Sequence, residues 1–198
     1  MKTFGKVALT LVFVGLFVSI SFWVLSLRTV PAQNDITYGV TFSKFRADEL
    51  NLNWKEVYES LLTDLGVKHF RFVAHWQMVE PQENQFNFTE LDYQMRRAEE
   101  EGAQVILAVG RRLPSWPECH EPDWISEHPL EAQKDDIRAY ITAVVNRYKD
   151  SPALAIWQVE NEPFIIGFAI GECGRLDIDF LDEEIALVQA LDSETPIL

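Results

Sequence analysis

Trp157-Gln158-Val159-Glu160-Asn161-Glu162-Pro163 closes an apolar run that begins at Ala153. The run reads as a buried strand. It ends in an amide, a carboxylate and a proline that cannot continue a hydrogen-bonded ladder. Polar groups at the C-terminal tip of a buried strand are where α/β proteins assemble reactive side chains. Working outward, Val67 to Ala74 and Gln104 to Gly110 are two more apolar runs. Ile36 to Phe42 is a shorter one of β-branched and aromatic residues. Helical patterns separate them. Asn53 is placed to cap Trp54 to Leu65, where Trp54, Val57, Tyr58, Leu61, Leu62 and Leu65 share one stripe before Gly66. Thr89 is placed to cap a helix to about Glu101, stopped by Gly102. Gln133 to Tyr148 and Leu181 to Leu191 supply two more, and Thr195 to Leu198 reads as the opening of a fifth strand.

Repeated strand–helix alternation predicts an α/β fold with a parallel sheet and helices outside it. A doubly wound open sheet alternates in the same way, but it usually keeps a glycine-rich turn after its first strand. Here that strand is followed by Ser43-Lys44-Phe45-Arg46, with no glycine. The pattern therefore predicts a partial TIM (β/α)8 barrel over residues 36–198: about the first four βα units and the start of strand five. A closed barrel takes about 250 residues, so a fragment of a longer protein is expected. A half-barrel that dimerises is the alternative.

The chain carries 31 acidic against 17 basic residues, a formal charge of −14. Three of the bases, Lys2, Lys6 and Arg28, precede the first acid, Asp35, so the remainder is more acidic still. Such a surface repels nucleic acid and anionic headgroups, and a neutral partner such as a sugar suits it better. Residues 1–6 form a basic n-region. Val7 to Leu27 has no charge and would span about 31 Å as a helix, enough for a hydrocarbon core. The lysines ahead of it place the N-terminus in the cytoplasm. The reading is a signal-anchor transmembrane helix, a linker over 28–35 and an extracytoplasmic domain. A cleaved signal peptide ending near Val30-Pro31-Ala32, and hence a secreted protein, is the alternative. In an exported chain Cys119 and Cys173, each in a loop after a strand, either pair or stay free. Neither has metal-ligand spacing to the four histidines, so no structural metal is expected, and no cofactor.

The Asn161-Glu162-Pro163 step resembles the acid/base strand of the clan A (β/α)8 glycoside hydrolases, which include cellulase-like and β-galactosidase-like families. The stretch from Trp76 through Glu80-Pro81, Asn84, Phe86 and Phe88 to Leu91-Asp92 resembles the loop after strand two in that clan. Asn84 stands there where the clan has glycine, and it tolerates a left-handed turn. The resemblance implies a glycosidase that cleaves β-linked glycans with retention. It makes Glu162 the general acid/base, Asn161 the partner of a sugar 2-hydroxyl, and Arg71 a support for the nucleophilic carboxylate. Arg71 in a structural ion pair with Glu160 or Glu162 is the alternative. Glu160 rivals Glu162, since a strand that alternates its faces could put both on one side. His75 and Trp76 are candidate sugar contacts, with Trp76 a core residue on the plainer reading. In the loop Gly110-Arg111-Arg112-Leu113-Pro114-Ser115-Trp116-Pro117, Arg111 and Trp116 are candidate subsite residues, or parts of a solvated basic turn. The clan's nucleophile is a glutamate at the end of the seventh strand, so these 198 residues are expected to lack it and to be inactive alone. Two other readings are an exported carbohydrate-binding pseudoenzyme and a scaffold without activity. The scaffold would be favoured by an exposed, unpaired Glu162.

Overall fold

The structure, a computed structural model, describes residues 13–24, 36–116, 118–165 and 177–198. The chain divides into two units, Met1–Thr37 and Tyr38–Leu198. In the first, residues 13–24 are helical, with Phe13, Phe17 and Trp23 exposed. Among the described residues no helix is long and apolar enough to cross a membrane. The expected span over Val7 to Leu27 is thus unsupported, and its two ends lie outside the described residues.

Among its described residues the second unit holds four parallel strands, β1 (Val40–Thr41), β2 (His69–Val73), β3 (Gln104–Val109) and β4 (Leu154–Val159), in spatial order β1-β2-β3-β4. Consecutive parallel neighbours joined by helices are the βαβ pattern of a barrel wall. The expected fifth strand lies against the other edge of β4. Trp157 N–H donates to Pro196 O at 2.9 Å, and Leu198 N–H donates to Trp157 O at 2.8 Å. β1 is shorter than the run from Ile36 to Phe42 implied, since Ile36 and Tyr38 are exposed and lie outside the ladder.

The helices are α1 (Lys44–Glu49), α2 (Trp54–Glu59), α3 (Trp76–Val79), α4 (Thr89–Glu100), α5 (Leu130–Tyr148) and α6 (Ile178–Leu191). α2 runs on into a widened π-helical turn over Ser60–Asp64. Asn53 caps α2 as expected, its Oδ1 accepting from Lys55 N–H at 3.2 Å. Thr89 is not a cap. It is the first helical residue of α4, and Asn87 Oδ1 accepts its N–H at 3.1 Å. α5 and α6 each start three residues earlier than their apolar periodicity implied. Pro129 precedes α5, and Asp177 Oδ1 caps α6 through Phe180 N–H at 3.3 Å.

The two faces of the sheet differ. Phe70, Phe72, Val105, Leu107, Trp157 and Val159 face the helices and meet Tyr58, Met95, Tyr140, Val144 and Val188 in the main core. The opposite face carries a small cluster of Val73, Ala108 and Leu113, and also Arg71 and Gln158. A parallel strand in a plain α/β core is apolar on both faces. The polar side chains on this second face mark where the chemistry can sit.

Candidate active site

The backbone leaves the extended conformation where β4 ends. Glu160 has φ 63° and Glu162 has φ 49°, both in the left-handed region that L-residues rarely adopt. The period-two rule that would place both carboxylates on one side holds only while the strand is extended, so it fails here. Glu160 turns into the protein and is 2% exposed; Glu162 is exposed.

Glu160 holds the loop after β3. Its Oε1 accepts from Arg111 N–H at 2.7 Å, and its Oε2 accepts from Arg112 N–H at 2.7 Å. The carboxylate lies so close to Gly110 that a Cβ there would fall 2.3 Å from Oε1, and Gly110 has φ 126°. Only glycine fits both demands. From α6, Glu184 reaches the same place, 1% exposed, and lines the same small cavity as Glu160. Burial pushes the Glu160 carboxyl up, opposed by the two backbone donors. Burial pushes Glu184 up further, and the charge of Glu160 adds to the effect. Glu184 Oε1 finds no donor among the described residues. A proton shared by the pair turns that orphan atom into half of a hydrogen bond, and two carboxyls in contact cannot both ionise cheaply. Of the two, Glu160 faces two N–H donors that favour its charged form, so burial favours the proton on Glu184.

Two residues on, Glu162 lines an open cleft of about 500 Å³ with Arg71, Asn161, Thr41, Ser115 and Glu118. A row of hydrogen bonds crosses the inner face beneath it. Arg71 Nε donates to Thr41 Oγ1 at 3.0 Å and Nη1 to Gln158 Oε1 at 3.4 Å; Gln158 Nε2 donates to Asn161 Oδ1 at 3.2 Å and to Glu160 O at 2.9 Å. The alternative for Arg71, an ion pair with Glu160 or Glu162, does not form. Its neighbours are neutral oxygens, because Glu160 has turned away and Gln158 occupies the place above Ala108.

The loop after β3 is a hairpin over 111–120. Arg112 and Cys119 form an antiparallel bridge, and Leu113 N–H donates to Glu118 O at 2.8 Å. Cys119 is disulfide-bonded, and Cys173 lies outside the described residues. Trp116 is 54% exposed beside Ser115, and its carbonyl accepts from Arg46 Nη2 at 2.7 Å.

Three expected sugar contacts fall elsewhere. Trp76 is fully buried, stacked on Tyr140 with ring centroids 5.4 Å apart, and its Nε1 donates to Glu80 Oε2 at 2.8 Å. His75 is buried between Phe45 and His120, its ring centroid 4.4 Å from that of His120. Neither offers a face to solvent, so both pack rather than bind. Arg111 pairs with Glu121 at 2.7 Å and lines a separate cavity of about 100 Å³ with Glu160, Glu184 and Lys134. It stands on the far side of the Glu160 clamp from the cleft. Sequence reasoning missed Gln158, Thr41, Glu118 and Glu184. One signal was available: Glu184 interrupts the apolar stripe of Phe180, Leu181 and Val188, and an acid on a buried helix face needs a partner. Among the described residues no cluster of histidine, cysteine, aspartate or glutamate is arranged to hold a metal ion.

Parallel strands alternating with helices, with an Asn-Glu pair and an arginine in one cleft at the strand tips, define the class: a clan A (β/α)8 glycoside hydrolase. The family model described as beta-galactosidase, glycoside hydrolase family 42, matches residues 50–173, more than half of the chain. The chain belongs to that family. It is 32% identical over 120 residues to a beta-galactosidase from Arthrobacter sp, covering 52% of this chain and 17% of that one. It is 29% identical over 114 residues to a probable mannan endo-1,4-beta-mannosidase A-1 from Aspergillus terreus, covering 52% and 28% respectively. Among solved structures, a GH5_18 protein from Streptomyces cattleya superposes with a TM-score of 0.61 at 15% identity, over 81% of this chain and 42% of that one. The last likeness is one of fold. The chain spans less than a third of the length of these two curated relatives.

Proposed function

We propose that the cleft binds a neutral β-linked glycan with its glycosidic oxygen beside Glu162, the carboxyl group that would protonate that oxygen where a second carboxylate faces it across the cleft. The single observation that carries this reading is the meeting of Glu162 and Asn161, at the tip of β4, with Arg71, from the middle of β2, in one cleft. Glycoside cleavage needs a carboxylic acid on the leaving-group side and a carboxylate that attacks or activates water. Asn161 Oδ1 is already held by Gln158, so its amide N–H groups are left to donate to a sugar hydroxyl. Arg71, bonded only to neutral oxygens, keeps its charge for a carboxylate across the cleft. In retaining enzymes that carboxylate stands about 5–5.5 Å from the acid. Glu118, the cleft's other carboxylate, is tied to Arg112 at 3.4 Å. We therefore expect these residues to bind sugar without turning it over. On the charge pattern of Lys2 and Lys6 ahead of residues 7–27, we also place the domain outside the cytoplasm, anchored or secreted. Cell fractionation of a tagged chain tests that placement.

The exposure of Glu162 favours the readings without catalysis, the scaffold as well as recognition alone, since a proton donor at neutral pH is helped by burial. The test titrates the protein with galacto-, manno- and xylo-oligosaccharides, following backbone amides by NMR. We expect shifts at Arg71, Asn161 and Glu162, weakened in R71A. A panel that moves none of these amides defeats both the hydrolase and the recognition reading. Hydrolysis of an aryl β-glycoside by the wild type and not by E162Q decides for the hydrolase.

A further inference from the structure

Glu160 has no place in the proposed proton transfer, yet it is the most heavily engaged carboxylate beside the cleft. Four observations converge on it. Both of its oxygens bind backbone N–H groups at the base of the 111–120 hairpin, each at 2.7 Å. The hairpin returns the contact, since Asn161 N–H donates to Arg112 O at 2.7 Å, and β3 adds Val109 O, which accepts from Glu160 N–H at 2.9 Å. The backbone at Glu160 is in the left-handed region, a strained conformation that persists only where the surroundings hold it. Gly110 leaves the space that the carboxylate fills. The far end of the same hairpin supplies Pro114, Ser115 and Glu118 to the wall of the Glu162 cleft.

From this geometry we infer that Glu160 and Glu184 form a positioning device. Glu160 clamps the hairpin base to the tip of β4, and Glu184 donates a hydrogen bond that keeps the clamp in place. Asn161 and Glu162 follow Glu160 directly in the chain, so the clamp sets their direction as well as the position of the opposite cleft wall. The inference deepens the proposed function and relies on it for the meaning of the cleft, though the clamp itself can be tested without any sugar. The charged and titratable groups around the pair are Arg111 and Arg112 from the hairpin, Lys134, Arg138 and Tyr140 from α5, and Asp177 ahead of α6.

The experiment compares wild type, E160Q, E184Q and E162Q by amide hydrogen exchange and by sugar titration. A carboxylate that accepts two N–H bonds cannot be replaced by an amide, whose NH2 would face one of the donors. E160Q should lose protection at Arg111, Arg112 and Asn161 by about tenfold or more, the worth of one charge-assisted bond. Gln at position 184 still donates to Glu160. E184Q should therefore keep the protection, and should also keep it at high pH, where the wild type loses it as Glu184 ionises. E162Q should leave all three amides as in wild type. Wild-type protection in E160Q overturns the clamp. Loss of protection in E184Q as deep as in E160Q overturns the donor role of Glu184. If E160Q does not fold, wild type against E184Q across pH decides alone: equal pH profiles overturn the inference. An absence of sugar binding in the wild type bears on the proposed function only, because the exchange pattern is read without ligand.

Discussion

Glu160 and Glu162 carry the same side chain two positions apart and live in opposite surroundings. Glu160 is buried, bonded to two backbone donors and backed by Glu184. Glu162 is exposed at the edge of a cleft. The difference teaches that a strand tip divides its work. One carboxylate fixes the backbone, and the other is left facing the solvent where a ligand can enter. A motif that names both residues does not say which is which. Burial and hydrogen-bond partners do.

The comparison is broken or sharpened most strongly by removing each carboxylate in turn. Glu160→Ala leaves two buried N–H groups and Glu184 without their partner, and should cost about 3–5 kcal/mol by chemical denaturation. Glu162→Ala should stay within about 0.5 kcal/mol, as expected for an exposed residue. Equal losses would erase the contrast. Gly110→Ala comes next. It forces a Cβ toward the Glu160 carboxylate and strains a φ of 126°, so a loss of about 1–3 kcal/mol is expected from the same measurement.

The pH dependence of stability separates the two sites further. Glu184 keeps its proton in the folded state above the ordinary carboxylate range of 4.5, up to about 9, while the unfolded chain gives it up. The folded state then binds more protons than the unfolded one, so this contribution is full below about 4.5 and is lost as pH rises toward 9. Wild type minus E184Q stability should fall by on the order of 1 kcal/mol per pH unit across that window. The subtraction is needed because other groups titrate in the same range. The buried ring of His75, pushed below the ordinary histidine range by burial and His120, costs stability as pH falls. The smallest expected effect is at the cleft. Arg71→Ala should weaken oligosaccharide binding about tenfold by calorimetry, the worth of one hydrogen bond to a charged group, with stability little changed.

The alternation of apolar runs with helical stripes announced four strands in a parallel sheet, and the structure has them in chain order. The Asn-Glu-Pro step located the cleft through local chemistry alone, since a proline after two polar residues ends any ladder. The helix starts were less legible, because the caps at Asn87 and Asp177 act through side-chain hydrogen bonds that periodicity does not register. His75 and the sugar-contact reading of Trp76 fell for a similar reason, while the plainer core reading of Trp76 held. A residue just after a strand can point to either side, and the short helix α3 turned both inward.

By itself the sequence determined the class of fold and the neighbourhood of the site, because hydrophobic period and ladder-breaking residues act over a few positions. Only the tertiary structure decided the partners. Arg71 met Gln158 across 87 positions, and Glu160 met Arg111 and Arg112 across nearly fifty. Glu184 came to Glu160 from a separate helix. Such contacts depend on where a backbone turns, and the turn at Glu160 is held by the very groups it brings together.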